Sequence, residues 1–333
     1  MTFSDIIGHE QQKKLLRQAF AAGKLAHAYL FSGIEGIGKR LMAQALARLI
    51  FCNADNGCGE CSSCQRIDHN NHPDLHLIEA DGQFIKIEQI RELQKSLAFR
   101  PLEAPRHIVI IEAAERMNSY AANALLKTLE EPPHDTIIIL LSSQPEALYT
   151  TVRSRCQTLP FSRLSHKEIS RVLRAQIADK VERDILAALA QGSLSKAFGA
   201  DRDMYLSTRK EIFSRICRLR PSTVIPLLEL AAELAQDRDY ALSVIDILTS
   251  CYRDLFIMAA KGSAAQVINA DLEQEIYPMA ARHSVAAANA KLQSLIRCRS
   301  YLNHNVNPQL AMEWLLTQLV KEEINPEAPT YTS

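Results

Sequence analysis

The stretch from Ala28 to Ile50 constrains this chain more than any other. An apolar run, Ala28-Tyr29-Leu30-Phe31, leads through Ser32 into Gly33-Ile34-Glu35-Gly36-Ile37-Gly38-Lys39-Arg40, and a helical pattern follows. Strand, glycine-rich loop and helix in that order are the context a phosphate-binding loop needs. Gly33, Gly36 and Gly38 let backbone N–H groups close around phosphate oxygens, and the helix N-terminus adds partial positive charge. Lys39 stands where a lysine reaches the outer phosphates. The next position should carry a Ser or Thr hydroxyl for Mg²⁺, and it is Arg40. The loop is strong as a fold marker and damaged as a catalytic one.

The runs around it complete an α/β pattern. Ile108-Val109-Ile110-Ile111 and Thr136 to Leu141 are continuously apolar, as strands buried on both faces of a parallel sheet are. Asp74 to Glu79 alternates and reads as a further strand. Helical spacing over 86–98 and from Ser119 to Glu131 falls between these runs, and Pro132-Pro133 stops the second helix. After Phe161 the strand signals end. Short helices follow from Ser165 to Phe198, with a turn at Gly192-Ser193, and from Ser207 the chain is Ala/Leu-rich and helical. Ile245, Leu248, Tyr252, Leu255 and Ala259 mark a core face there, as do Ala311, Leu315 and Leu319.

Charge narrows the function. Lys plus Arg equals Asp plus Glu at 38 each, so no global basic field grips nucleic acid, and any such contact is local or shared with partners. No apolar run approaches the ~18 residues of a membrane span, and nothing at the start resembles a signal peptide. A cytoplasmic protein without membrane contact is expected. Cysteine usage agrees with a reducing compartment. Cys156, Cys217, Cys251 and Cys298 are scattered, and the last three fall in helical patterns as buried thiols.

Cys52, Cys58, Cys61 and Cys64 are different, because four thiols within one short segment can wrap a single Zn²⁺ tetrahedrally. Such a site is closed and structural, and its apparent binding energy of ~10–16 kcal/mol fixes a loop that lacks a core of its own. A disulfide or reactive cluster is the alternative, which a reducing compartment disfavours. His69 or His72 could replace Cys52 as fourth ligand. Residues 52–72 therefore read as a compact insertion and not as a core element.

Together these segments resemble subunits of the bacterial DNA polymerase III clamp loader, within the AAA+ ATPases. The matching text is Phe3 to Glu10, His27 to Gly33, the phosphate loop, the four cysteines, Ala124-Leu-Leu-Lys-Thr-Leu-Glu-Glu-Pro-Pro133 and Ser154-Arg155-Cys156. The resemblance implies an α/β AAA+ domain over residues 1–162, a P-loop-type parallel sheet with helices on both faces and the zinc-binding insertion at 52–72. It implies an all-α lid over 163–206, an all-α collar for oligomerisation over 207–323, and a disordered tail at 324–333.

Departures from the family's motor subunits decide the role. Arg40 replaces the metal-holding hydroxyl, Glu112 stands for the metal-coordinating aspartate, and Ala113 replaces the glutamate that polarises water. Ser195, beside Lys196, takes the place of a sensor arginine. Phosphoryl transfer depends on positioned charge, so these losses together remove most of the apparatus. ATP hydrolysis at this chain's own site, and Mg²⁺ there, are not expected; whether a nucleotide still binds is left open. Lys39 either meets a phosphate or forms a salt bridge with Glu112, and Arg40 either fills the metal position with its own charge or is a surface arginine. Ser142 and Ser143 stand near the sensor position or cap the following turn, while Lys127, Glu130 and Glu131 read as a solvated face with local ion pairs.

One catalytic element is retained. By resemblance, Arg155 is an arginine finger that reaches the γ-phosphate held by a neighbouring subunit; on spacing alone, Arg153 and Arg155 are solvated rim charges. The implied protein is a non-hydrolysing subunit of a heteropentameric ring with clamp-loader delta and gamma/tau-type subunits. It helps place the sliding clamp on primed DNA during replication, as part of the DNA-directed DNA polymerase holoenzyme. The rival readings are an ATP-hydrolysing motor subunit of the gamma/tau type and a stand-alone zinc-dependent nucleic-acid-binding protein.

Overall fold

The computed structural model describes residues 2–52, 54, 57–133, 135–198, 208–222, 224–262, 267–304 and 306–321. The expected tail at 324–333 and the end of the expected lid near 206 lie outside them. The chain divides into two compact units, Met1–Val172 with Gln191–Ser195 and Leu173–Ala190 with Lys196–Ser333.

The first unit is built on five strands: β1 (Ala28–Ser32), β2 (Leu75–Ile78), β3 (His107–Ile111), β4 (Thr136–Ser142) and β5 (Gln157–Pro160). They lie in the order β2-β3-β4-β1-β5, and every neighbouring pair is parallel. Such a sheet must be covered on both faces, which the uninterrupted Ile/Val/Leu runs of β3 and β4 allow. Register puts Leu30 beside Leu140 and Val109 beside Ile138. Alternation then divides each strand between two cores. Phe31, Ile110, Ile137, Ile139 and Leu141 share one with α2 (Lys39–Phe51), which α1 (Glu10–Ala21) joins through Leu16. On that side α3 (Ser62–Asp68) packs on α2. Leu30, Val109, Ile111, Ile138 and Leu140 face α4 (Ile87–Leu97) and α5 (Ser119–Glu130). After β4 come the short α6 (Thr150–Arg153) and then, past β5, α7 (His166–Leu173).

One local expectation needs correction, and one strand had no reading in the sequence. The insertion at 52–72 is not separate from the core: Ile67 of α3 is fully buried in the cluster beneath α2, and the buried Arg48 of α2 pairs with Asp68. Strand β5 carries too little apolar signal to stand out, since only Leu159 of its four residues is buried. Its place at the sheet edge explains both that pattern and the tolerance of Pro160 at its end.

The second unit is all-α. Helix α8 (Lys180–Leu189) is followed by α9 (Leu194–Phe198), which begins in the first unit. Beyond the undescribed stretch come α10 (Arg209–Arg218), α11 (Val224–Leu234), α12 (Arg238–Ala259), α13 (Glu273–Arg282), α14 (Val285–Asn303) and α15 (Pro308–Val320). Helix α12 is the central element and packs against α13 and α14, while α15 packs against α11 and α14. The periodic residues Ile245, Leu248, Tyr252 and Leu255 are fully buried, as are the Cys251 and Cys298 thiols. Asp237 and Ser284 cap α12 and α14 by accepting from Tyr240 N (2.8 Å) and Ala287 N (3.1 Å). No helix among the described residues is long and apolar enough to cross a membrane.

Asp74 was expected to begin a strand; it lies just before β2 and organises the approach to β3 instead. Its buried carboxylate accepts from the backbone N–H groups of Leu102 (2.7 Å), Glu103 (2.9 Å) and Ala104 (2.8 Å). Burial raises the carboxyl pKa, but the three donors and nearby His107 outweigh it and hold the group below its ordinary value. A depressed folded-state pKa gives stability that is present above the unfolded-state value and lost as pH falls through the folded one. Asp74→Ala leaves three N–H groups without this acceptor and should cost about 3 kcal/mol in denaturant unfolding at pH 7. The gap to wild type should narrow only below about pH 4. Equal stability at neutral pH would contradict this role.

Candidate functional site

The phosphate loop leaves β1 between β4 and β5, at the carboxyl ends of the strands where open parallel sheets form their clefts. Gly33 N–H donates to Ser142 O (3.1 Å), which fixes the first turn of the loop to β4. Gly36 has φ 75°, and its carbonyl accepts from Leu194 N–H (2.8 Å). A Cβ at Gly36 would overlap the hydroxyls of Ser193 and Ser195, so only glycine lets the 193–195 turn lie against the loop. Ser195, expected in the sensor position, is thus brought to the phosphate loop with a hydroxyl where a guanidinium was absent from the sequence.

Lys39 opens α2 and is nearly buried. Its ammonium donates to the carbonyls of Gly33 (2.5 Å) and Ile34 (2.8 Å), turning back onto the loop that a nucleotide would need open. Burial lowers its pKa below the ordinary lysine value, against the pull of Glu115, Glu35 and Glu112. The salt bridge to Glu112, one of the two alternatives for Lys39, is made by Arg40. Arg40 Nη1 donates to Glu79 Oε1 (2.5 Å) at the end of β2 and to Glu112 Oε2 (2.6 Å) at the end of β3. Arg40 is therefore not a loose surface arginine. Its charge lies between two carboxylates that leave adjacent strands. Burial raises the Glu112 carboxyl above its ordinary value; Arg40 pulls it down and Glu79 pushes it up.

Ala113 follows with φ 48°, a left-handed conformation that turns the chain into the short 3₁₀ segment Ala114–Arg116. Glu115 in that segment accepts from Ser143 N (3.1 Å) and Ser143 Oγ (2.6 Å). Burial raises this carboxyl, and the hydrogen bonds from the serines bring it below its ordinary value. Ser143 is thereby held by β3's exit, while Ser142 Oγ accepts from Gln144 N (3.2 Å) and caps the turn. Lys196 is committed elsewhere, to Asp246 of α12, which also accepts from Arg299 of α14.

Arg155 follows α6. Its Nε and Nη2 donate to Glu130 Oε1 (2.8 and 2.5 Å), and Nη1 donates to Thr151 O (2.9 Å). The side chain remains 35 % exposed. Arg153 pairs with Glu146. Lys127, Glu130 and Glu131 are exposed as expected, but the Glu130 ion pair is not local, because its partner lies 25 residues further along the chain. Glu79, Glu115 and Glu130 were the functional contacts that sequence reasoning did not assign. Glu79 follows a strand, Glu130 ends a helix and Glu115 lies in the 3₁₀ segment after β3, so position was their only signal.

The four thiols of the insertion converge. Cys52, Cys58, Cys61 and Cys64 place their sulfurs within 4.8 Å of one another, with Cys52 Sγ 3.7 Å from Cys58 Sγ and 3.9 Å from Cys61 Sγ. A tetrahedral Zn²⁺ with ~2.3 Å bonds requires sulfurs about 3.8 Å apart, so the set fits. Backbone N–H groups of Ala54, Cys58 and Cys61 point at Cys52 and Cys58 sulfurs, as donors to thiolate ligands do. His72 is occupied otherwise: its Nδ1 accepts from Asp74 N (3.2 Å) and its ring lies 4.6 Å from Phe51.

A parallel sheet with this loop after β1, helices on both faces and an all-α continuation has the form of an α/β AAA+ fold. The family described as "DNA polymerase III, delta subunit" matches residues 8–165, and its C-terminal part matches residues 204–321. The DNA polymerase III subunit delta-prime of Bacillus subtilis is 32 % identical over 313 residues, covering 92 % of this chain and 94 % of that protein. The tau subunit of the same organism is 33 % identical over 204 residues, covering 59 % of this chain and 36 % of its own length. A Thermotoga maritima protein related to the DNA polymerase III gamma subunit superposes with a TM-score of 0.46 at 17 % identity, over 94 % of this chain and 99 % of its own. The chain belongs to the delta-prime family of DNA polymerase III clamp-loader subunits.

Proposed function

We propose that this clamp-loader component is non-hydrolysing and acts on a neighbouring subunit's ATP through Arg155. The observation that carries this reading is the Glu79–Arg40–Glu112 ion triplet beside the phosphate loop. A motor needs a metal ion and an activated water there. Here a covalently attached guanidinium bridges the two acidic groups, Ala113 offers no base, and Lys39 holds loop carbonyls. These residues do not fit Mg²⁺, and no hydrolytic step at this site is derived. A hydrolysing gamma/tau-type role is disfavoured by the same features.

In this reading the protein sits in a heteropentameric ring with delta and gamma/tau-type subunits. It supports loading of the sliding clamp onto primed DNA. The three-part organisation into an AAA+ domain (1–162), lid (163–206) and collar (207–323) goes with that role, the collar supplying ring contacts and no chemistry. Arg155 would place a fixed positive charge against the γ-phosphate bound by the adjacent subunit, the contribution that makes arginine fingers worth ~10³–10⁵ in rate. Cys52, Cys58, Cys61 and Cys64 would hold a structural Zn²⁺ that clamps the insertion against α2.

Two measurements test these roles. Arg155→Ala should leave this subunit folded and assembled yet lower the ATPase of the reconstituted loader, and unchanged turnover would remove the finger. Freshly purified protein should carry one equivalent of zinc, and chelation should raise amide hydrogen exchange over residues 52–72 while α12 keeps its protection. Protein free of zinc by metal analysis would end that assignment.

A further inference from the structure

We propose that Glu130 is a positioning residue for Arg155, holding the guanidinium aimed outward before any partner docks. This rests on the reading of Arg155 as a finger and adds the group that makes it effective. Glu130 is the last residue of α5, fixed there by the stop at Pro132-Pro133 and by Glu131 N–H donating to Lys127 O (3.0 Å). A carboxylate at a helix C-terminus faces the negative end of the helix dipole and does nothing for the helix. Its contact with the Arg155 guanidinium offsets that unfavourable position.

The way it holds that cation matters. Glu130 Oε1 takes the Nε and Nη2 donors, and the Thr151 carbonyl takes one from Nη1. That carbonyl belongs to the last turn of α6, where backbone acceptors lack helical partners. A guanidinium has five N–H donors in a rigid plane, so three anchored donors leave two for an incoming anion. The remaining 35 % exposure of Arg155 gives those two access to solvent. An acceptor such as a phosphate oxygen can therefore be met without breaking the Glu130 pair. A flexible arginine would instead lose its rotamer freedom on each encounter, and pre-orientation removes that loss.

The test uses full-length protein in the reconstituted clamp loader, with steady-state ATPase resolved into kcat and KM. Glu130→Gln and Glu130→Ala should each lower kcat by about ten-fold at the dependent site with KM for ATP little changed, since misplaced groups lose rate and not ground-state binding. In an Arg155→Ala background neither substitution should have a further effect. If Arg155→Ala itself changes nothing, the finger reading fails. If Arg155→Ala lowers kcat but Glu130→Ala and Glu130→Gln do not, the positioning role alone fails. A rate increase would make Glu130 a restraint and overturn the proposal, as would an equal loss in the Arg155→Ala background. The isosteric Glu130→Gln guards against a variant that merely misfolds.

Discussion

Two carboxylates, Glu79 and Glu112, leave neighbouring strands at the mouth of the phosphate loop, and the Arg40 guanidinium bridges them. In a hydrolysing site a soluble metal ion would take such a place, binding and leaving with the nucleotide. Here Arg40 holds it permanently, from the first turn of α2. Beside that contact Lys39 turns onto Gly33 and Ile34, and the 193–195 segment lies against Gly36. The loop's backbone contacts are made within the chain itself.

The two arginines of the site thus have opposite fates. Arg40 is drawn inward between two acids and has its charge cancelled locally. Arg155 is held by one acid and one carbonyl, which aims it and leaves donors unspent. The helical second unit is organised on α12, which packs against α13 and α14.

Much of this was legible in the chain. The loop, the buried strands β1, β3 and β4, the proline stop after α5 and the core face of α12 all follow from local pattern, because each depends on residues close in sequence. The thiol cluster was equally legible, since its ligands lie on one short segment. What escaped were pairings between distant segments. Nothing local says that Glu130 meets Arg155, that Glu79 and Glu112 flank Arg40, or that Ile67 enters the main core. Strand β5 was missed for a different reason: an edge strand with one buried residue has no periodicity to read.

The most direct test of the account is the MgATPase of the purified chain alone. The ion triplet predicts no turnover above background, and no change on Lys39→Ala. Sustained hydrolysis at a motor's rate, abolished by Lys39→Ala, would show that the remodelled pocket still works and would contradict the account at its base.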